Sequence, residues 1–323
     1  MNRRGFLLGF STLALAVRGA SAALADSYPT RPVKLIVSGV PGAAIDLVTR
    51  ALADKLSAAL KQSFIVEDRP GAGGNLGAET VARSAPDGYT LLVALDTTLT
   101  VNPSLYKKLP FDPDADFRPL AILASSSTML VVHPSIAVSS VAEFVAFAKT
   151  QAMPYAHGGN GTPGHLSMEY FRMLAEFPAV SVPYRGSAQL IGDLVAGQIK
   201  LGFVSTAAVL EHVHAGRLKA LAISAGRRAP QAPHIPTLAE AGYPDFRVEL
   251  YYVMMAPARV PDSIIDVLER EVVRALKSPD FQDRFRAQDI AIEAITGVAV
   301  KNRLVADRAL WAKVAKAADM RVE

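Results

Sequence analysis

From Arg31 onward the chain alternates short β-branched runs with stretches whose apolar positions recur every three or four residues. Val33-Lys34-Leu35-Ile36-Val37 reads as a strand, and Ile45, Val48, Leu52, Leu56 and Leu60 fall on one stripe of the helix that follows. Phe64 to Glu67 predicts a second strand, Leu76 to Ala85 a helix, Pro86-Asp87-Gly88 a turn and Tyr89 to Leu95 a buried strand. Strands alternating with helices predict an α/β fold with a mostly parallel sheet covered on both faces.

A Pro- and Asp-rich stretch, Leu109 to Asp114, connects this unit to a second one. There a long run, Leu120 to Val132, ends at His133-Pro134. Ser140 and Glu143 then form a capping box that opens a helix to Lys149. Strands at Tyr155 to His157, Val180 to Pro183, Ile199 to Val204 and Leu218 to Ser224 alternate with helices at Pro163 to Ala175, Ala188 to Ala196 and Ala207 to Ala215. Arg227 to Pro236 reads as a return connection, followed by a capping box at Thr237 to Glu240, a strand near Val248 to Met255, a helix from Pro261 to Leu276 and a last helix of about Val298 to Ala318. A strand arriving this late most simply completes the first sheet. One lobe is then expected from residues 26–128 and 226–323 and the other from 129–225, with two crossings suited to hinge closure.

The first 25 residues stand apart. Arg3 and Arg4 precede an apolar or small stretch from Phe6 to Val17, and Ala23-Leu24-Ala25 offers a small-x-small cleavage pattern, with Ala20-Ser21-Ala22 as the competing site. This reads as an export signal, twin-arginine-like in Asn2-Arg3-Arg4-Gly5-Phe6-Leu7-Leu8, and the run is too short for a membrane span. Removing it takes away Arg3, Arg4 and Arg18 and no acid, so the whole-chain charge of +4 falls to +1. With no basic patch left, nucleic-acid binding is set aside. The absence of cysteine excludes disulfides and thiolate metal sites. About 298 residues remain, near the size at which one core divides into two.

Open α/β sheets bind ligands at the carboxyl ends of their strands, where helix N-termini favour anions. Three loops fit that position. Ser38 to Ala44 leads into the helix beginning near Ile45. His157-Gly158-Gly159-Asn160-Gly161-Thr162 precedes Pro163, with Thr162 at the N-cap and three glycines that let amides approach a ligand. Ser205-Thr206 follows the strand ending at Val204, and Asp96-Thr97-Thr98 is its first-lobe counterpart. Gly71 to Gly77 resembles a nucleotide loop, but Leu76 stands where a dinucleotide fingerprint needs glycine and no Lys-Ser or Lys-Thr follows. A turn before a tightly packed helix is the plainer reading. His165 and Glu169, four apart, lack a third metal ligand and read as a first-turn histidine with a surface acid. His212 and His214 do not face each other. No metal or cofactor is expected.

Several segments resemble the solute receptors of tripartite tricarboxylate transporters, the Bug proteins. They are Tyr28 to Val33, the Pro41-Gly42 loop with Asp46, Glu67 to Asn75, Ala85 to Leu91, Asn102 to Tyr106, Gly159 to Thr162, Val182 to Ser187 and Pro236 to Gly242, in order over nearly the whole chain after residue 25. The resemblance implies a periplasmic-binding-protein fold of Venus-flytrap, type II-like form with two crossover strands, and no enzymatic activity. It also implies a periplasmic monomer that takes a carboxylate-bearing ligand and meets membrane transporter subunits. By position it assigns the ligand's carboxylate to amides at Gly42, Ala43, Ala44, Ile45 and Asp46 and at Gly158 to Thr162, with His157, His165, Arg185, Ser205 and Thr206 nearby. A receptor serving a sensor system and a hydrolase built on Asp46, Asp96 and His157 are the alternatives.

This chain departs from the family pattern at three places. Ala43, Ala44 and Ile45 replace two glycines and a threonine, which makes the first-lobe wall more apolar. Val204 stands where many relatives carry an Asp, so an acid able to bind an amine is missing. Asp96 occupies the place of a small hydroxyl residue. It should either meet a donor on the ligand or be tied down by a neighbour, because a buried unpaired carboxylate costs several kcal/mol.

Overall fold

The computed structural model describes residues 28–286 and 288–321, and the expected export segment lies outside the described residues. The chain opens with β1 (Val33–Val37), α1 (Ala44–Leu60), β2 (Phe64–Asp68), α2 (Asn75–Ala82) and β3 (Thr90–Leu95). Two short helices, α3 (Asp96–Thr100) and α4 (Asn102–Leu105), lead to β4 (Phe117–Ser126). The middle of the chain forms β5 (Thr128–Val132), α5 (Val141–Ala148), β6 (Met153–His157), α6 (Pro163–Ala175), β7 (Ala179–Pro183), α7 (Ser187–Val195), β8 (Leu201–Ser205), α8 (Thr206–His214) and β9 (Lys219–Ile223). The last part returns as β10 (Leu250–Pro257), α9 (Asp262–Leu276), α10 (Pro279–Arg286), β11 (Ile290–Thr296) and α11 (Val298–Ala317).

Two sheets result, one ordered β11-β4-β10-β3-β1-β2 and one β7-β6-β8-β5-β9. The late strand β10 does complete the first sheet, wedged antiparallel between β3 and β4. The sheets are therefore mixed rather than mostly parallel. Only β1 with β2 and β3, and β6 with β7 and β8, pair in parallel. The antiparallel pairs all involve β4, β5 or β10, strands that flank the two crossings between sheets.

The run from Leu120 to Val132, read as one stretch, is two strands in two sheets, divided at Ser127. The second crossing falls later than residue 226. Ala229, Ala232, Ile235 and Leu238 pack into the apolar clusters of the second sheet, as do Phe246 and Val248. The chain re-enters the first sheet at Leu250.

The first-lobe core alternates along β1. Val33, Leu35 and Val37 face Val48, Leu52 and Leu56 of α1, while Ile36 faces Ala78 and Val81 of α2. Tyr155, Phe171, Phe203 and Phe246 fill the second. Helix α11 belongs to both: Val300 and Leu304 pack with Phe117 and Met255, whereas Trp311 and Val314 join the second-lobe cluster. Among the described residues no helix is long and apolar enough to cross a membrane.

Trp311, its ring centroid 6.2 Å from that of Tyr170, is thus the peg of a strut between lobes. Trp311→Ala is expected to cost about 3–5 kcal/mol and to lower the melting temperature by roughly 10 °C. Melting within about 2 °C of the parent, in a domain where 1 kcal/mol moves the midpoint by that much, would contradict the strut.

Candidate functional site

The glycine loop ends β6 and starts α6. Gly159 and Gly161 take left-handed backbone angles, φ +117° and +75°, and a Cβ on Gly161 would stand 2.6 Å from Leu105 of α4. Gly164, in the first turn of α6, lies so close to β8 that a Cβ would meet the Phe203 carbonyl oxygen at 2.3 Å. Thr162 occupies the N-cap position but does not cap: its hydroxyl donates back to the Gly159 carbonyl at 2.7 Å. Pro163 has no N–H and the Leu166 amide donates to the Thr162 carbonyl, so the first-turn amides of α6 left without an acceptor are those of Gly164 and His165.

Helices α7 and α8 begin in the same way, with Gly186 and Ser205 at their N-caps and no side-chain cap bond at either. All three starts border one cavity of about 250 Å³. Its lining includes Gly158, Thr162 and Gly164 of the glycine loop and α6, Gly186 and Ser187 of α7, and Ser205 at the foot of α8. Ser126, Ser127 and Thr128 of the first crossing close the floor, and Phe203, Val204, Leu190 and Leu250 give it an apolar side. No titratable side chain lines it. Larger grooves of about 420, 450 and 510 Å³ lie elsewhere, each with acids and bases together: Asp114 and Glu269 with Arg118, Lys301 and Arg308 in the first, Glu271 with Lys55, Lys61 and Arg274 in the second, and Asp319 with Lys107, Lys316 and Arg321 in the third.

His157 and His165 stand behind the loop rather than in the cavity. His157 is fully buried, its Nδ1 2.9 Å from the Gly159 carbonyl and its Nε2 2.7 Å from Ser181 Oγ. His165 Nδ1 accepts the Gly161 amide at 3.3 Å. The two rings stack with centroids 4.1 Å apart. Burial holds His157 below the usual imidazole range against the opposing pull of the Gly159 carbonyl and Glu169. Burial, then His157 and Arg172, push His165 down to about 3. Glu169, expected on the surface, is buried and bonded by Tyr155 (2.6 Å) and Arg172 (2.6 Å). The inward face of α6 carries it into the second-lobe core.

The first-lobe candidates lie at the ends of β1 and β3 and do not line this cavity. Asp46 accepts the Gly42 amide at 2.8 Å and pairs with Arg50 at 2.6 Å, so that amide is already occupied. Burial would raise the Asp46 carboxyl, but Gly42 and Arg50 together hold it below the ordinary range. Ile45 turns into the core instead of forming a cleft wall, and Ala43 and Ala44 pack against the same cluster. Asp96 opens α3, with Thr97 and Thr98 beside it in that helix. It is tied down by a neighbour: Tyr251 donates its backbone N–H to Oδ1 at 3.1 Å. Burial pushes its carboxyl up to about 8.

Arg185 is exposed and outside the cavity lining, although Gly186 and Ser187 next to it are part of it. Thr206 is buried beneath Ser205, bonded to Ser127. Asn160 is exposed and its amide reaches the Arg321 carbonyl. Asp46, Asp96 and His157, the recruits of the hydrolase alternative, are each bonded to different partners and share none. Among the described residues no three His, Asp or Glu gather to hold a metal. The Gly71 to Gly77 stretch is a tight packing turn, for a Cβ on Gly74 would meet Thr98 Oγ1 at 2.4 Å. Of the lining residues, only Gly158, Thr162 and Ser205 are among the expected site residues; Ser126 to Thr128, Pro163, Gly164, Gly186, Ser187, Leu190, Phe203, Val204 and Leu250 are not. Four hydroxyl residues in a row, Ser125 to Thr128, interrupting an apolar run were the available signal.

A family model described as the tripartite tricarboxylate transporter family receptor matches residues 48–317. The Bordetella pertussis protein BugT is 34% identical over 286 residues, which covers 87% of this chain and 88% of that protein. Among solved structures, an R. palustris protein with adipate superposes with a TM-score of 0.77 at 31% identity, over 91% of this chain and 100% of its own. MatC from Rhodopseudomonas palustris with bound malate superposes at 0.71 and 28% identity, over 89% and 99%.

The depressed histidines give the fold a pH signature. The folded state keeps His165 neutral to about pH 3, while an unfolded histidine binds a proton near 6.5. Below that point the unfolded state holds more protons, so stability falls as pH drops from about 6.5 toward 3. His165→Asn keeps an acceptor for Gly161 and removes the titration. Chemical denaturation of both proteins across that range is expected to show a shallower loss in the variant; parallel curves would contradict the assignment.

Proposed function

The chain belongs to the tripartite tricarboxylate transporter receptor family, and we propose that it traps a small aliphatic organic acid in the cavity bordered by α6, α7 and α8. One observation carries this reading: three uncapped helix starts meet around a space that contains no ionisable side chain. Each helix N-terminus presents free N–H groups and roughly half a positive charge. Together they favour an anion without a lysine or arginine in contact with it. The hydroxyls of Ser187 and Ser205 add donors, and Leu190, Phe203, Val204 and Leu250 suit a hydrocarbon body.

A cavity of about 250 Å³ is just under the size range that begins at roughly 300 Å³ for drug-sized ligands, which fits a small metabolite. Adipate and malate, bound by the two R. palustris structures, are of this class. Val204 at the wall supplies no partner for an ammonium group, so simple dicarboxylates are favoured over acidic amino acids. Hinge closure would bring the turn at Ala43 and Ala44, and Thr97, over the ligand from the first lobe. In this reading residues 1–25 direct export, the receptor works in the periplasm as a monomer, and the closed form is delivered to membrane subunits of the transporter.

A dicarboxylate at about a hundred times its dissociation constant is expected to add about 2.7 kcal/mol of stability, a melting shift of roughly 5–10 °C. Ser187→Asp keeps the fold, since an acid at a helix start is favourable. Its charge would repel the bound anion by the order of 2–4 kcal/mol, which weakens affinity at least ~30-fold. Calorimetric titration that found Ser187→Asp binding like the parent would overturn this placement.

A further inference from the structure

The floor of the cavity is tied to the opposite lobe by a chain of hydroxyls. Ser127, the residue between β4 and β5, donates from Oγ to Asp289 Oδ2 at 2.7 Å. Its single hydroxyl proton being used there, Thr206 Oγ1 must donate to Ser127 Oγ, at 2.7 Å. The Thr206 amide closes the loop on the Ser127 carbonyl at 3.1 Å. All three residues are buried. They come from three distant places: the first crossing, the start of α8, and the residue just before β11.

Asp289 is set rigidly. It has a left-handed φ of +53°, uncommon for a non-glycine residue, and the next residue, Ile290, pairs with Ser126 of β4. Asp289 borders a groove of about 190 Å³ with Arg227 and Arg286, but among the described residues no ion pair holds its carboxylate. Its bonded partner is the crossing that also forms the cavity floor. Thr206 in turn orients the first turn of α8, next to Ser205 in the lining.

We propose that Asp289 is a positioning residue for ligand capture: through Ser127 and Thr206 it fixes the start of α8 and the floor of the cavity from the first lobe, without touching the ligand. This rests on the receptor reading only for the identity of the cavity's occupant. The hydroxyl chain makes the wall of one lobe dependent on an acid of the other, so the geometry that receives the ligand is set across the hinge.

A double-mutant cycle with a ligand-free readout tests it. Thr206→Val keeps shape and removes the relay donor, Asp289→Leu removes its acceptor, and Asp289→Asn retains an acceptor. With no ligand present, hydrogen exchange over residues 205–209 is expected to speed up in Thr206→Val and Asp289→Leu and to stay near the parent in Asp289→Asn. Titration with malate or adipate is expected to show affinity reduced about 10-fold in each of the first two, no further loss in their combination, and rescue by Asp289→Asn. Unchanged exchange in Thr206→Val, or additive losses of affinity, would overturn the relay. Should Asp289→Leu fail to fold, the Thr206→Val exchange and affinity alone decide it. Absence of binding by the parent would count against the receptor reading, while the exchange rates still judge the relay.

Discussion

Helix-start amides left without an acceptor in the chain, at α6, at α7 and beyond Thr206 in α8, are the constraint on which the site depends. Ser187, Ala188, Ser205 and Ala207 are exposed at two of these starts, so water serves their free amides until an anion displaces it, and three such starts around one cavity favour that exchange. The usual remedy, a side-chain cap, is withheld at each. Thr162 spends its hydroxyl on Gly159, Gly186 has no side chain, and Ser205 makes no cap bond. Fixed dipoles suit reversible capture, because they attract an anion and bring no reactive group beside it.

Packing behind the cavity keeps these donors in place. Gly164 lets α6 press against the Phe203 carbonyl, and Gly161 lets the loop approach Leu105 of the first lobe. The stacked imidazoles of His157 and His165 hold the loop at Gly159 and Gly161 while remaining neutral. On the far side, Asp46 clamps the turn before α1 through Gly42, and Asp96 is anchored to the returning strand by Tyr251. The conspicuous acids and histidines thus each hold a segment of backbone in place.

The alternation of strands and helices was legible because buried strands and amphipathic helices have different apolar periods. It placed β1, α1, β3, the glycine loop and α6 near their observed positions. The mixed sheets were not legible, since strand direction depends on which element lies between two strands in space. Strand β11 was missed although Ile290 and Ile292 alternate with smaller residues, because it is a half-exposed edge. Glu169 looked like a surface acid and Ile45 like a wall residue. Their burial follows from how α6 and α1 are rotated on their sheets, which one residue's chemistry does not reveal. Ser126 to Thr128 gained meaning only when Ser127 proved to be the crossing.

The central claim is that main-chain donors, not charged side chains, hold the ligand. Backbone amide NMR during titration with a dicarboxylate measures this directly. The largest downfield shifts are expected at Gly158, Gly164, Ser187 and Ala207, around the three helix starts. Shifts confined to the neighbourhood of arginine and lysine side chains, with those amides unmoved at saturation, would contradict it.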